Sequence, residues 1–202
     1  MADLSFTQSA DPVTLVNETS GNIVAVNSDG SINIHTLDGL KTSYAASIVG
    51  LAAANTPTDI FTITGSATKT IRIFRVCFSG TENTSAVRDV LLIKRSTANS
   101  GGTSSAPTIV PYDSNNAAAT ATVLTYTANP SLGATVGTVR AAKVDVGATN
   151  LTSAADQVEW NFGNNPVQAI VLRGTSQVLA INLNGVTSAS GSFDMVFEWT
   201  EE

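Results

Sequence analysis

The sequence predicts an all-β protein, an antiparallel jelly-roll-like β-sandwich with an extended N-terminal arm that contains a short β-hairpin. Runs rich in Ile, Val, Thr and Phe recur through residues 59–199, and short clusters of Gly, Ser, Asn and Asp separate them. That is the pattern of strands joined by turns. Several runs alternate apolar and polar residues, as strands do in a sheet with one buried face. Such runs, without a long helical period, are typical of a sandwich or jelly roll.

The most apolar part of the chain is residues 59–96, and we expect its three strand-like runs to be antiparallel neighbours joined by turns. Its middle run is apolar on both sides of the alternation, which predicts a central strand covered on both faces or buried against a partner subunit. Strict alternation places Ile71, Ile73 and Cys77 on one face and Phe74, Val76 and Phe78 on the other.

Residues 1–56 differ from the rest and are predicted to be an arm or attachment segment, with residues 57–202 forming the sandwich domain. Residues 22–26 and 31–35 are candidate strands, and Asp29-Gly30 between them is a hairpin signal. The segment is too short and too polar to bury its own core, so we expect it to pack on the main domain, a sister subunit or a partner protein. The apolar residues expected to contact that partner are Leu15, Val16, Ile23, Val24, Ile32, Ile34 and Leu37.

The stretch 43–54 fits a short helix or a strand, because Gly50 and the β-branched pair before it weaken a helix. From residue 59 onward, nine strand-like runs are separated by turn residues. In the last of them, four large apolar residues share one face, Phe193, Met195, Phe197 and Trp199. The predicted strands cover residues 59–64, 69–79, 86–96, 121–127, 135–146, 157–162, 168–173, 177–183 and 192–199.

The longest stretch without a clear pattern is residues 97–120. Irregular segments of this length are unusual inside a compact domain and are often contact surfaces. Tyr112, Asp113 and Asn115 lie within it and are the candidate recognition residues. The alternative is a loop that packs on its own domain.

Composition limits the function classes. Charged residues make up 13% of the chain, about half the usual share, which suits either a surface that faces other proteins or a neutral, Thr-rich β-domain. The net charge of −6 and the pI near 4.6 argue against a nucleic-acid partner, because phosphate binding needs clustered Lys and Arg. No run reaches the roughly 20 apolar residues of a membrane-spanning helix, so we expect no membrane association.

The sequence offers no convincing active site, so we expect a protein that is not an enzyme and that holds no cofactor or metal. His35 is the only histidine and Cys77 the only cysteine, which is too few for a zinc site and leaves any Ser/His/Asp arrangement dependent on one residue of the arm. Arg72, Arg75 and Arg95 lie on predicted core strands, where we expect them to pair with acidic residues such as Asp89, Glu159 or Glu198.

Residues 59–202, about seven tenths of the chain, resemble a family of virion proteins of tailed bacteriophages, most of which have no assigned role. The resemblance lies in DIFTITGSATKTIRI, in the long stretch from DVLLIKRS to TYTANP, in VGTVRAAK, in QAIVLRGTSQVLAINLNG and in the ending FEWTEE. The N-terminal DGSINI stretch is similar to the attachment segments of phage surface proteins. The family has no catalytic motif to carry over to this sequence.

The resemblance implies a structural component of a phage particle, made in the bacterial cytoplasm and located on the virion. The first hypothesis is that the protein is a capsid decoration (cement) protein that binds the major capsid protein or another virion protein. Analogy with phage surface proteins implies a homotrimer. The alternative is a receptor-binding or fibre module that recognises a host glycan or surface protein through residues 97–120.

Overall fold

The computed structural model describes residues 15–16, 23–24, 41–148, 156–163, 168–188 and 190–202. The chain divides into two compact units, Met1–Leu40 and Lys41–Glu202. In the first unit, strand β1 (Leu15–Val16) pairs antiparallel with strand β2 (Ile23–Val24). The sequence predicts residues 31–35 as the hairpin partner of residues 22–26. Residues 31–35 lie outside the described residues, and so do the predicted contact residues Ile32, Ile34 and Leu37.

The second unit is a twelve-stranded, curled β-structure, and none of its described residues is helical. The all-β, sandwich-like fold predicted from the sequence is therefore confirmed. Its strands are β3 (Thr42–Ala52), β4 (Asp59–Thr64), β5 (Ile71–Glu82), β6 (Ala86–Arg95), β7 (Thr103–Ser105), β8 (Ile109–Pro111), β9 (Thr122–Ala128), β10 (Thr135–Ala148), β11 (Gln157–Asn161), β12 (Ile170–Leu172), β13 (Val178–Asn182) and β14 (Ser192–Glu201).

These strands form two layers. Sheet I has the order β7-β9-β4-β13-β6-β10, and sheet II has the order β8-β3-β14-β5, with β11 and β12 pairing along the other side of β5. All the pairings between described strands are antiparallel except a short parallel one, in which the end of β10 joins β5 and links the layers. The structure thus adds one parallel contact to the antiparallel pairing that the sequence predicts.

Strands β4, β5 and β6 are not neighbours, so the expected antiparallel pairing within residues 59–96 is wrong. β4 pairs with β9 and β13 in sheet I, whereas β5 pairs with β14 in sheet II. β6 returns to sheet I between β13 and β10. Residues 65–70 are long enough to cross the roughly 10 Å between packed sheets, which allows consecutive strands to enter opposite layers.

A β-bulge at Phe74 changes which side chains of β5 face the core. Ile73 and Arg75 lie opposite two consecutive residues of β14, so Phe74 is the extra residue of the pair. The predicted alternation is wrong beyond this point, and Cys77 shares the outer face with Arg75 instead of lying in the core with Ile73. The β5 residues that belong to the core are Ile71, Ile73, Val76 and Phe78.

Residues 42–52 form a strand, which settles the choice left open between helix and strand. β3 pairs with the last strand over its whole length, so the sandwich unit begins at Lys41, whereas the predicted boundary was at residues 56 and 57. A second β-bulge lies at Val49 and Gly50, where Gly50 has a φ of +73°. Glycine adopts this left-handed conformation without the steric cost that a Cβ atom brings.

The core is built on stacked aromatic rings. Phe61 of sheet I stacks on Phe197 of sheet II at a centroid distance of 4.7 Å, which brings the two layers into direct contact. Tyr44 stacks on Trp199 at 5.9 Å. The prediction for the last strand is confirmed, because its four aligned side chains are all buried in this core, Phe193, Met195, Phe197 and Trp199.

Candidate interaction surfaces

A buried carboxylate, Asp59, joins three strands to the segment that follows β6. Arg95 donates two hydrogen bonds to it, from Nε at 2.6 Å and from Nη2 at 2.7 Å. Asn99 and Asn182 donate one each, at 2.8 Å and 2.7 Å. Both charged residues are almost completely inaccessible to solvent. With four donors on its two oxygens, the carboxylate is fully satisfied, so this cluster is a structural clamp.

A second buried ion pair closes the turn between β5 and β6. The Nε atom of Arg88 donates to Oε1 of Glu82 at 2.6 Å, and Nη2 donates to the other carboxylate oxygen. Arg88 also donates to the carbonyl of Thr187 at 2.6 Å, and the hydroxyl of Ser188 donates to Glu82. The pair therefore ties this turn to the segment before β14.

The third buried carboxylate, Glu201, holds the end of the long 97–120 segment. It accepts hydrogen bonds from the backbone N–H groups of Thr120 and Ala121, from the Thr120 hydroxyl at 2.7 Å and from Nε1 of Trp199 at 3.1 Å. Burial raises the pKa of Glu201, but the hydrogen bonds to its charged form outweigh burial, and the pKa lies below its ordinary value.

The outer face of sheet II carries a charged cluster that sequence reasoning anticipated in part. Arg75 donates to Glu159 at 2.8 Å and to Glu198 at 2.7 Å, as expected. The hydrogen bond from Arg75 lowers the pKa of Glu159 to about 2. Cys77 lies 3.6 Å from the same carboxylate, and burial raises the pKa of its thiol to about 11. This thiol stays protonated at neutral pH, so the cluster is suited to holding strands together and not to nucleophilic chemistry.

The other two predicted arginine pairings have different partners. Arg95 pairs with the buried Asp59, which the sequence did not indicate, and Arg72 pairs with Glu202 at 3.0 Å. Asp89 pairs instead with Lys143 at 2.7 Å.

The three candidate recognition residues lie in one turn after β8. The backbone of Tyr112 is tied to Ser43, its ring contacts Phe74 edge-on, and 59% of the residue remains exposed. Asp113 accepts hydrogen bonds from the backbone and side-chain N–H groups of Asn115 at 2.9 Å and 3.1 Å. Of the three, Tyr112 is the one with a large, exposed aromatic side chain that offers contact area. Residues 97–120 also contain β7 and β8, and are less irregular than the sequence suggests.

An apolar edge runs along sheet II where β8 ends the layer. Residues 47–52 of β3 pair with β14 alone among the described strands. Val49 in the bulge is 80% exposed, and Val110, opposite Ala45, is 55% exposed. Together with Tyr112 they form what we call the β3–β8 edge. Unpaired backbone beside exposed valines is a typical contact surface for another protein.

A hollow of about 230 Å3 lies on the face of sheet I that points away from the core. Thr62 and Thr64 of β4 line it and alternate with the core residues Phe61 and Ile63. Side chains from β9, β13 and two connecting segments complete it. The other lining residues are Gly65, Ala98, Asn99, Thr122, Leu124, Tyr126, Thr175 and Val178. The sequence gives no sign of this hollow, because its parts come from four separate stretches of the chain.

Comparison of the chain with protein-family models, curated proteins and solved structures finds no match. Among the described residues, no group of three or more His, Cys, Asp or Glu side chains is placed to hold a metal ion. The described part of the chain also contains no helix with the length and apolar character needed to span a membrane.

Proposed function

We propose that this chain is a non-enzymatic structural protein of a tailed-bacteriophage particle, and specifically a capsid decoration protein that binds and stabilises the capsid surface. The observation that carries the proposal is the β3–β8 edge, where Val49, Val110 and Tyr112 stay exposed and residues 47–52 of β3 pair with β14 alone among the described strands. The partner is the major capsid protein or a neighbouring virion protein. The resemblance of residues 59–202 to phage virion proteins supports the same assignment.

The energetics favour binding through this edge. Burying one valine side chain contributes roughly 1.5 kcal/mol or more, and an open strand edge adds backbone hydrogen bonds to a partner strand. The N-terminal segment is continuous with β3, the strand that forms the edge. In the proposal, Leu15, Val16, Ile23 and Val24 of this segment add to the contact with the partner. Three copies of the chain form a closed homotrimer, so that each trimer makes this contact three times.

The use of the charged residues also supports a structural role. Asp59, Glu82 and Glu201 hold strand ends and loops in place through the hydrogen bonds described above. A sandwich locked in this way resists local opening. That property suits a protein with a structural role.

The test is binding of the full-length protein to purified particles that lack it. We expect the double variant Val49→Asp/Val110→Asp to bind at least about tenfold more weakly, because two charges would be buried without partners. The matched control is Val136→Asp/Val186→Asp, which introduces the same two charges at exposed valines outside this edge. Unchanged binding of the double variant, with the fold retained by circular dichroism, would overturn the proposed contact.

A second function, a receptor-binding or fibre module that recognises a host glycan or surface protein, is favoured by one observation. Tyr112 presents an exposed aromatic ring on a turn held firmly by its own hydrogen bonds. Exposed aromatic rings on rigid turns are suited to stacking on ligands. A glycan array that shows specific binding, lost in Tyr112→Ala and kept in Asn115→Ala, would support this function over decoration.

A further inference from the structure

The hollow on sheet I has the composition of a small binding site. Thr62 lies opposite Leu124, and Thr64 lies opposite Thr122, in the pairing of β4 with β9. On the other side of β4, Val178 of β13 is the partner of Thr64. Side chains of directly paired residues point to the same face, so three threonines and two aliphatic residues form one surface.

The lining is neutral and rich in hydroxyl groups. None of its ten residues is charged, four are threonines, and Tyr126 and Asn99 add a phenol and an amide. The side-chain hydroxyls of Thr64, Thr122 and Thr175 make no hydrogen bond to another described residue. Hydroxyls in a hollow need a partner, which is either water or a ligand that donates and accepts hydrogen bonds.

The site is held in place before any ligand arrives. Asn99 is fixed by its bond to Asp59 at 2.8 Å and by accepting the N–H of Gly133 at 2.9 Å. At Gly65, a Cβ atom would lie only 2.5 Å from the carbonyl oxygen of Gly174. The glycine thereby lets the turn that carries Thr175 approach the end of β4. A preformed site loses less conformational entropy on binding than a flexible one.

We propose that this hollow binds one neutral sugar residue. A volume of about 230 Å3 is smaller than the roughly 300–1,000 Å3 of sites for drug-sized ligands, and it suits a monosaccharide. The unpaired hydroxyls of Thr64, Thr122 and Thr175 match sugar hydroxyls, while Leu124 matches the C–H face of the ring. Anionic ligands are disfavoured, because the lining has no cation. This binding goes beyond the proposed decoration function, since attachment to a capsid needs no small-molecule site.

The test is a titration of the full-length protein followed by 1H–15N NMR. The probes are the methyl glycosides of glucose, galactose, mannose and N-acetylglucosamine, with the free sugars and glucuronate measured in parallel. We expect saturable shifts of the amides of residues 62–65, 122–126 and 175–178 with at least one neutral sugar. Binding of the methyl glycoside equal to that of the free sugar would identify the end of a glycan chain as the source. Binding of the free sugar alone would identify a soluble monosaccharide.

The site is assigned by a pair of variants. Thr64→Val/Thr122→Val removes two hydroxyls from the hollow at nearly constant shape, and we expect it to weaken binding about tenfold. The control Thr103→Val/Thr138→Val removes two hydroxyls from exposed positions outside the lining and should bind as the unmodified protein does. The absence of saturable shifts with every sugar, equal binding by both variants, or binding of glucuronate as tight as that of glucose would each overturn the proposal. Particle binding is measured separately and should be normal in both double variants, because the hollow is not part of the β3–β8 edge. A negative sugar titration would therefore leave the proposed decoration function intact.

Discussion

Among the described residues of the sandwich, three carboxylates are buried, and each is stabilised in a different way. Asp59 has a guanidinium and two amides as donors, and Glu82 has a guanidinium and a hydroxyl. Glu201 is bound by backbone N–H groups, a hydroxyl and an indole. A buried charge is costly without partners, so the residues around each carboxylate should be sensitive to substitution.

We predict that Arg95→Ala lowers the free energy of unfolding by about 3–5 kcal/mol, because it leaves the Asp59 carboxylate buried without its cation. Urea unfolding followed by tryptophan fluorescence measures the change. The control is Lys143→Ala, which breaks a pair with Asp89 in which the lysine side chain is 75% exposed. The control should lose far less stability, because exposed pairs are screened by solvent. Equal losses in the two variants would show that Asp59–Arg95 is not a buried clamp.

The lowered pKa of Glu201 predicts a specific pH dependence. A carboxyl group whose pKa is lower in the folded state than its ordinary value of 4.5 stabilises the fold above that value and loses the contribution as the pH falls through the folded-state pKa. The unmodified protein should therefore be more stable than Glu201→Gln at pH 7, and the difference should shrink at pH 3. Thermal melts of both proteins at the two pH values test this. A stability difference between the two proteins that is equal at pH 7 and pH 3 would contradict the lowered pKa of Glu201.

Among the strands, β-bulges adapt otherwise regular elements, and two of them lie in sheet II, in β3 and β5. The bulge at Phe74 rotates the second half of β5, and the bulge at Val49 and Gly50 pushes a valine outward at the open part of β3. Bulges bend a strand and increase its twist, which suits a sheet that curls into two layers. Here the second bulge also helps to form the contact surface, since Val49 is the most exposed large apolar residue in the described part of the chain.

We predict that Gly50→Ala destabilises the protein by roughly 1–2 kcal/mol, because the left-handed conformation brings the Cβ atom close to the following carbonyl group. Steric crowding by neighbouring residues is not the cause, since the nearest atom to an added Cβ would be Oγ of Ser192 at 3.6 Å. Gly137→Ala is the matched control in another bulged strand, where an added Cβ has open space and no positive φ. A loss of stability in Gly137→Ala as large as in Gly50→Ala would contradict the argument from φ.

The elements were largely predictable from the sequence because period-two alternation follows directly from strand geometry. The run from Phe193 to Trp199 showed its buried face without any tertiary information. The pairing of strands was not predictable in the same way, because an apolar run such as Ile71–Phe78 fits either sheet equally well. The bulge at Phe74 left no local signal, and neither did the long-range bonds of Asp59. The hollow could not be found, since it depends on which strands become neighbours.

At the scale of the whole molecule, the two compact units allow the proposed arm to be tested separately from the sandwich. Residues 41–202 contain the complete described core. We predict that deletion of residues 1–40 leaves a folded, soluble β-domain with weakened particle binding. Circular dichroism and co-sedimentation with particles that lack the protein measure these two properties. Undiminished binding by the truncated protein would contradict a role for the arm, while the β3–β8 edge variants test the other contact independently.

The proposed role as a decoration component of a phage capsid predicts how many copies of the protein each particle holds. Quantitative mass spectrometry of purified particles, with isotope-labelled peptides of this chain and of the major capsid protein, gives the ratio of the two. We predict a copy number comparable to that of the capsid protein, because a shell of decoration proteins repeats with the capsid lattice. A few copies per particle would contradict decoration and indicate a tail or vertex appendage, and absence from the particle would contradict a virion role altogether.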